Sequence, residues 1–198
     1  MMKGIRVLFT VAVATLVASA PALAQRGTTM VAVQGGATLS DFTSTGSAFF
    51  SNTRWGGTAG VFIGRTFGRN AQANLDVNWE QKGGGEVRVD YVNIPLTVGG
   101  GLVASQGWNV RGYIGIGIGF KVSCKDNLAS ATIDACDNAK SSEWTLPFGF
   151  FFGKWSNSGK FFGIDTRMVV SLSDAFEISS VNNRSLQFRA VLGTKVGR

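Results

Sequence analysis

The chain has 198 residues, of which 44% are hydrophobic and 16% charged, and its formal net charge is +7. This length suits one domain, and 15 phenylalanines with only 3 prolines argue against a disordered chain. The basic residues are scattered and form no run interleaved with aromatic residues, so the sequence gives no support for a nucleic-acid partner.

The first 24 residues have the pattern of a secretory signal peptide. Two basic residues are followed by the apolar run Val7–Ala20, which is too short to span a bilayer, and then by Ala22-Leu23-Ala24, a cleavage site of the A-x-A type. We therefore expect residues 1–24 to be removed on export and residues 25–198 to form the mature domain.

The clearest pattern lies in Ala71–Val98, where apolar and polar residues alternate. Leu75, Val77 and Trp79 share one face, and the residues between them are polar or charged. A period of two indicates an extended strand, and the glycine run in QKGGG indicates a hairpin loop. The same period predicts eight strands along the chain: Thr29–Leu39, Trp55–Thr66, Ala71–Glu80, Glu86–Val98, Asn109–Val122, Glu143–Gly153, Lys160–Leu172 and Arg184–Val196.

The fourth strand carries an irregularity. Its apolar residues change phase between Tyr91 and Ile94, and Pro95 lies within it. A β-bulge near Val92–Asn93 would shift the phase and tolerate a residue without an N–H group.

Cys124 and Cys136 lie in one polar segment, 123–142. In an exported protein such a pair is most simply a disulfide that closes one loop, with two free thiols as the alternative. The bridge would add about 3 kcal/mol in the chain-entropy model. Two thiolates in a chain without histidine do not make a zinc site, and we expect no metal or cofactor.

The connections differ in length, and the glycine-rich one after strand three is short. They are long at 40–54, 123–142 and 173–183, and short after strands two, four and six. An outer-membrane barrel shows this asymmetry, with short periplasmic turns and longer external loops. We therefore predict an all-β fold: an eight-stranded antiparallel up-and-down transmembrane β-barrel after the signal peptide.

Alternation alone does not decide which face points outward, because a soluble lipocalin-like barrel would put its apolar face inside around a ligand. Tryptophans at the predicted strand ends favour the membrane, since amphipathic rings gather where lipid meets water. The expected aromatic girdles contain Trp55, Trp79 and Trp144 at the long-loop side and Trp108 and Trp155 at the short-turn side.

The opposite faces of the strands carry charges of both signs. In a narrow eight-stranded barrel the interior is filled by side chains, so these charges must pair there. The expected network in the lumen contains Asp76, Glu80, Glu86, Arg88, Asp90, Arg111, Asp165, Arg167 and Arg189.

Three segments also resemble a known family. VDYVNIPLTV, preceded by WEQKGGG, is similar to the signature of the PorT-like outer-membrane β-barrel family, and VRGYIGIGIGFKVS and FGIDTRMVVSLSDAFE are similar to its later strands. The resemblance implies an eight-stranded barrel in the outer membrane of a Gram-negative-type cell. Most members have no assigned function, and a few take part in protein secretion. Such barrels commonly end on an aromatic residue, whereas this chain ends Val196-Gly197-Arg198.

We expect a structural or accessory barrel with a filled lumen. Its partners would be outer-membrane lipid and, through loops 40–54, 123–142 and 173–183, extracellular or envelope proteins; we expect a monomer without nucleic acid. A soluble carrier is one alternative. Another is a narrow pore for ions or small solutes, selective for anions through Arg88, Arg111, Arg167, Arg189 and Lys195.

Enzymatic activity is not expected. The known chemistries of barrel enzymes rely on a histidine as general base, and the chain has none. Asp76 and Glu80 could form an acid–base pair, but two carboxylates on one charged strand face need no catalytic explanation.

Overall fold

The parts of the chain that the computed structural model describes are residues 27–44, 52–67, 70–103, 107–126, 135–176 and 181–196. They form one closed antiparallel barrel, in which each strand pairs with the next and the last pairs with the first. The predicted eight-stranded up-and-down barrel is confirmed. The predicted signal peptide, residues 1–24, lies outside the described residues.

Eight strands and one short helix make up the described structure. They are β1 (Thr29–Ser44), β2 (Arg54–Phe67), β3 (Ala71–Gly84), β4 (Val87–Val103), β5 (Trp108–Asp126), α1 (Ala135–Asn138), β6 (Ser142–Trp155), β7 (Lys160–Asp174) and β8 (Val181–Val196). Closure pairs every strand edge, which a backbone in lipid requires. Within the described ranges, no helix is long and apolar enough to cross a membrane.

The strands place their apolar residues outward. On β1, Val31 and Val33 are exposed while Gln34 and Thr38 are buried in the interior, and the other strands repeat this order through the middle of the barrel. A lipocalin-like carrier would have the reverse arrangement, so the structure does not favour that alternative. The outward apolar band is the surface that lipid would cover.

At the long-loop end the strands are longer than predicted. β1 continues to Ser44, β5 to Asp126 and β7 to Asp174, and β8 begins at Val181. The predicted loops 40–54, 123–142 and 173–183 are therefore reduced to the connections 45–53, 127–141 and 175–180. The strands continue because backbone pairing does not depend on an apolar outer face.

The hairpin loop predicted over QKGGG is shorter than expected. β3 includes the whole of this segment up to Gly84, so the turn consists of Gly85 and Glu86. Gly85 has φ +54°, in the left-handed region that glycine adopts without strain.

The bulge predicted at Val92–Asn93 is wrong. The irregularity lies on β5 at Val122, because Asp90 and Tyr91 of β4 pair with the residues on either side of it. β4 itself keeps a constant phase, so Val87, Val89 and Tyr91 all point into the barrel. The change of phase in the sequence arises because the apolar residues of β4 are on its inward face up to Tyr91 and on its outward face from Ile94.

Candidate functional site in the barrel interior

Lys82 is the centre of one buried ion-pair group. Its Nζ lies 2.5 Å from Glu143 Oε1 and 3.1 Å from Glu80 Oε2, and no side chain of the three is more than 2% exposed. The Nδ2 of Asn93 donates to Glu80 Oε2 at 3.4 Å, and the Lys82 ammonium lies 5.4 Å from the centroid of the Tyr91 ring. A buried ammonium held by two carboxylates is satisfied only while all three remain in place.

A second group is centred on Asp165, on β7. Arg189 of β8 donates from its Nε to Asp165 Oδ2 at 3.0 Å, and the Tyr113 hydroxyl donates to Oδ1 at 2.5 Å. Arg167 donates from its Nε to the Tyr113 oxygen at 3.0 Å, and its Nη2 lies 2.7 Å from Asp76 Oδ2. Four strands, β3, β5, β7 and β8, are thus joined across the lumen.

The charges of these two groups cancel once Arg111 is included. The Arg111 guanidinium lies 5.2 Å from the centroid of the Phe151 ring and lines the same interior space as Asp76 and Arg167. Four basic side chains then face four acidic ones. This interior network consists of Lys82, Arg111, Arg167 and Arg189 with Asp76, Glu80, Glu143 and Asp165.

The space left within the network is small. A cavity of about 20 Å³ lies among Asp76, Arg111, Tyr113 and Arg167, and one water molecule needs most of that volume. This cavity can therefore hold a water molecule and is too small for a larger solute.

Apolar clusters lie at both ends of the interior. The short-turn cluster consists of Met30, Ala32, Phe62, Phe151, Trp155, Phe161 and Val191. The long-loop cluster consists of Phe42, Val87, Val89, Tyr91, Cys124 and Phe176.

The loop between β5 and β6 is fastened to the barrel beside the long-loop cluster. Cys124 and Cys136 form the predicted disulfide. The Lys121 ammonium donates to the carbonyl oxygens of Cys136 at 3.3 Å and Ala139 at 2.5 Å. Ala139, which precedes β6, forms a β-bridge with Phe176, which follows β7. These two segments therefore meet at the long-loop end of the barrel.

Residues 10–192 match the family model of the outer membrane protein beta-barrel domain. The chain belongs to this family. Membership of this family and the outward apolar band together place the protein in the outer membrane.

A solved structure shares this fold at low sequence identity, and two others match more loosely. Neisserial surface protein A superposes with a TM-score of 0.53 at 11% identity, over 84% of this chain and 97% of that one, which is a likeness of fold alone. The attachment invasion locus protein Ail of Yersinia pestis gives a TM-score of 0.42 at 13% identity, over 83% and 97% of the two chains. OprG from Pseudomonas aeruginosa gives 0.39 at 13% identity, over 85% and 96%. No curated protein matches the chain in sequence.

Three charges predicted for the lumen of this outer-membrane barrel lie elsewhere. Glu86 is exposed in the β3–β4 turn, and Arg88 and Asp90 pair with each other at 2.6–2.7 Å on the outward face of β4. Arg88 and Asp90 face outward because the interior positions of β4 are its odd-numbered residues, among them Val87 and Val89.

The other predicted charges, Asp76, Glu80, Arg111, Asp165, Arg167 and Arg189, point inward. Sequence reasoning missed Lys82 and Glu143. Lys82 is the next even-numbered, inward position of β3 after Glu80. Glu143 points inward because its neighbour in sequence, Trp144, points outward. Extending the alternation to the ends of the strands would therefore have identified both residues.

Four of the five tryptophans predicted for the girdles point outward. Trp108 stacks on the outward Phe152 with ring centroids 4.8 Å apart. Trp155 does not follow the prediction, because it occupies an inward position of β6 and packs on Phe161 at 4.6 Å. The outward four are Trp55, Trp79, Trp108 and Trp144.

Proposed function

We propose that this barrel is a structural or accessory protein of the outer membrane whose lumen is closed to solutes. The interior network carries the proposal, because its eight charged side chains cancel in formal charge and connect strands across the lumen. An ion entering this space would have to separate buried ion pairs, and removing one partner of a buried pair costs several kcal/mol. We also propose that the barrel is monomeric and has no catalytic activity.

The narrow anion pore receives no support from the charges. Of the five basic residues expected to select anions, Arg88 faces outward and Lys195 is exposed at the short-turn end. The remaining three, Arg111, Arg167 and Arg189, are matched within a neutral network. A selective pore would need a net charge along an open path.

Conductance across a planar bilayer tests the closed lumen. We expect no steady open level from the refolded wild-type barrel, whose folded state is verified by its faster migration in unheated gels. The double variant Phe151→Ala/Phe161→Ala removes two rings of the short-turn cluster, including the one beside Arg111, and keeps the ion pairs of Lys82, Arg167 and Arg189. It should also stay closed if the interior network is the seal. A steady large conductance in the wild type would overturn the proposal. A conductance seen only in the double variant would show that the two aromatic rings, and not the interior network, close the lumen.

We infer that the connections 45–53, 127–141 and 175–180 contact partners outside the cell. The support is the fastening of the β5–β6 connection by a disulfide and by Lys121, which holds α1 in a defined position. A photo-crosslinking amino acid at Asp137, exposed in α1, should join the barrel to an envelope or extracellular protein in intact cells. The same label at Ser158, exposed in a short turn, is the control. Equal products from both positions would contradict a loop-specific contact.

We also infer a place within the PorT-like branch of the family. The similarity of WEQKGGG and VDYVNIPLTV supports it, and these segments form β3, its turn and β4. A profile built only from PorT-like members should match residues 79–98 better than profiles of other outer-membrane barrels, and an equal score would remove the support.

A further inference from the structure

The exposed charges at the short-turn end of the barrel have one sign. Among the described residues of the short turns and the strand ends they join, the charged side chains on the surface are all basic. They are Arg65, Lys154, Lys160 and Lys195. The nearest described acidic residues, Asp76 and Asp165, are buried in the interior network. Short turns lie on the periplasmic side of outer-membrane barrels, so this rim meets the headgroups of the periplasmic leaflet.

A surface hollow of about 440 Å³ opens at this rim beside the β6–β7 turn. Its lining residues are Lys154, Trp155, Ser156, Asn157 and Phe162. Lys154 and Phe162 are paired neighbours on β6 and β7 and point outward, toward the membrane. The hollow therefore joins the polar turn to the apolar band.

The position of Lys154 is set by an aromatic neighbour. Its ammonium lies 5.5 Å from the centroid of the Trp108 ring on β5, which is within the range of a cation–π contact. Trp108 in turn stacks on Phe152. The cation is thus held at the level where amphipathic rings collect between lipid and water.

The chemistry of the hollow fits one class of ligand. Lys154 supplies a compact positive charge, and Ser156 and Asn157 carry hydroxyl and amide groups that can donate to phosphate oxygens. Phe162 extends the hollow with a ring that is 52% exposed, suited to the start of an acyl chain. We propose that this hollow binds the phosphate headgroup of an anionic phospholipid in the periplasmic leaflet. The proposal goes beyond the closed lumen and does not depend on it.

Lipid titration followed by native mass spectrometry tests the site. The folded full-length protein in detergent is titrated with phosphatidylglycerol and, separately, with zwitterionic phosphatidylcholine. We expect the first phosphatidylglycerol to bind more tightly than phosphatidylcholine. Lys154→Gln keeps a polar side chain and removes its charge, and should weaken that first step roughly five-fold, the usual contribution of one lysine near an anionic surface.

The matched control is Lys125→Gln, which removes an exposed lysine at the long-loop end of the barrel, on β5. It should leave phosphatidylglycerol binding unchanged. Ser156→Ala/Asn157→Ala should also weaken binding, without touching the charge. Equal affinities for the two lipids, or equal effects of the Lys154 and Lys125 variants, would overturn the site. Displacement of the lipid by millimolar inorganic phosphate, with no effect of Phe162→Ala, would overturn the assignment to a lipid.

Discussion

Replacing Lys82 with methionine tests whether the interior network is dry. The substitution keeps a side chain of similar length and removes the ammonium that contacts Glu80 at 3.1 Å and Glu143 at 2.5 Å. Both carboxylates would then be buried without the cation that holds them. Removing one partner of a buried ion pair costs about 3–5 kcal/mol, and we expect Lys82→Met to lower the free energy of unfolding by that amount.

A second variant separates the contribution of Glu143 to the Lys82 contacts from that of Glu80. Glu143→Gln leaves Lys82 paired with Glu80 and replaces one charged acceptor by a neutral one. It should cost about 1.5–3 kcal/mol, the contribution of a hydrogen bond to a charged group. The control Lys125→Met removes an exposed lysine and should change stability by less than about 0.5 kcal/mol.

Urea unfolding of the barrel in phospholipid vesicles measures these differences. Tryptophan fluorescence and the migration of unheated samples in gels report the folded fraction independently. The reasoning is refuted if Lys82→Met and Lys125→Met are equally mild, because water would then reach the two carboxylates and replace the ammonium. An intermediate value for Glu143→Gln is required as well, since it retains one of the two contacts.

Three further changes should separate the parts of the fold. Cys124→Ser/Cys136→Ser should cost about 3 kcal/mol and expose the β5–β6 connection to protease; equal digestion of both forms would show that the loop is held without the bridge. Phe161→Ala, at a ring 3% exposed inside the barrel, should cost about 3–5 kcal/mol in urea unfolding, and Phe162→Ala, at a ring 52% exposed, clearly less; equal losses would mean that the first ring is not enclosed. Gly83→Ala should lower refolding yield in vesicles, because Gly83 has φ +143° and an added Cβ would collide with a backbone oxygen of β4; a normal yield would show that the hairpin adjusts.

The eight strands were predictable because the outward face of each strand meets the same apolar surroundings. Lipid imposes one rule on every strand, and a period of two records it over the middle of the barrel. That rule stops where the strands leave the lipid. Beyond that level Val87, Val89 and Tyr91 pack in the interior, while Arg88 and Asp90 pair on the outward face. The reversal imitates a bulge in the sequence, which is why the predicted bulge was wrong and why Arg88 and Asp90 do not lie in the lumen. Glu86 lies in the turn before β4.

The partners within the interior network could not be derived from spacing. Lys82 and Glu143 are 61 residues apart, on β3 and β6, which are not neighbours in the sheet. Their side chains meet only because the barrel is narrow enough for them to cross it. Alternation shows which residues point inward, but the pairing depends on the register of all the strands between them.

The net charge of the chain has a different origin from the one an anion pore would require. The interior network is neutral, so the +7 of the sequence arises entirely from residues outside it. Part of the excess lies at the short-turn rim, on Lys154, Lys160 and Lys195, where no described surface residue is acidic. Charges at that position act on headgroups and are screened by salt, whereas the buried pairs are screened far less. The excess positive charge of the sequence therefore lies outside the interior network, where it would not select the anions of a pore.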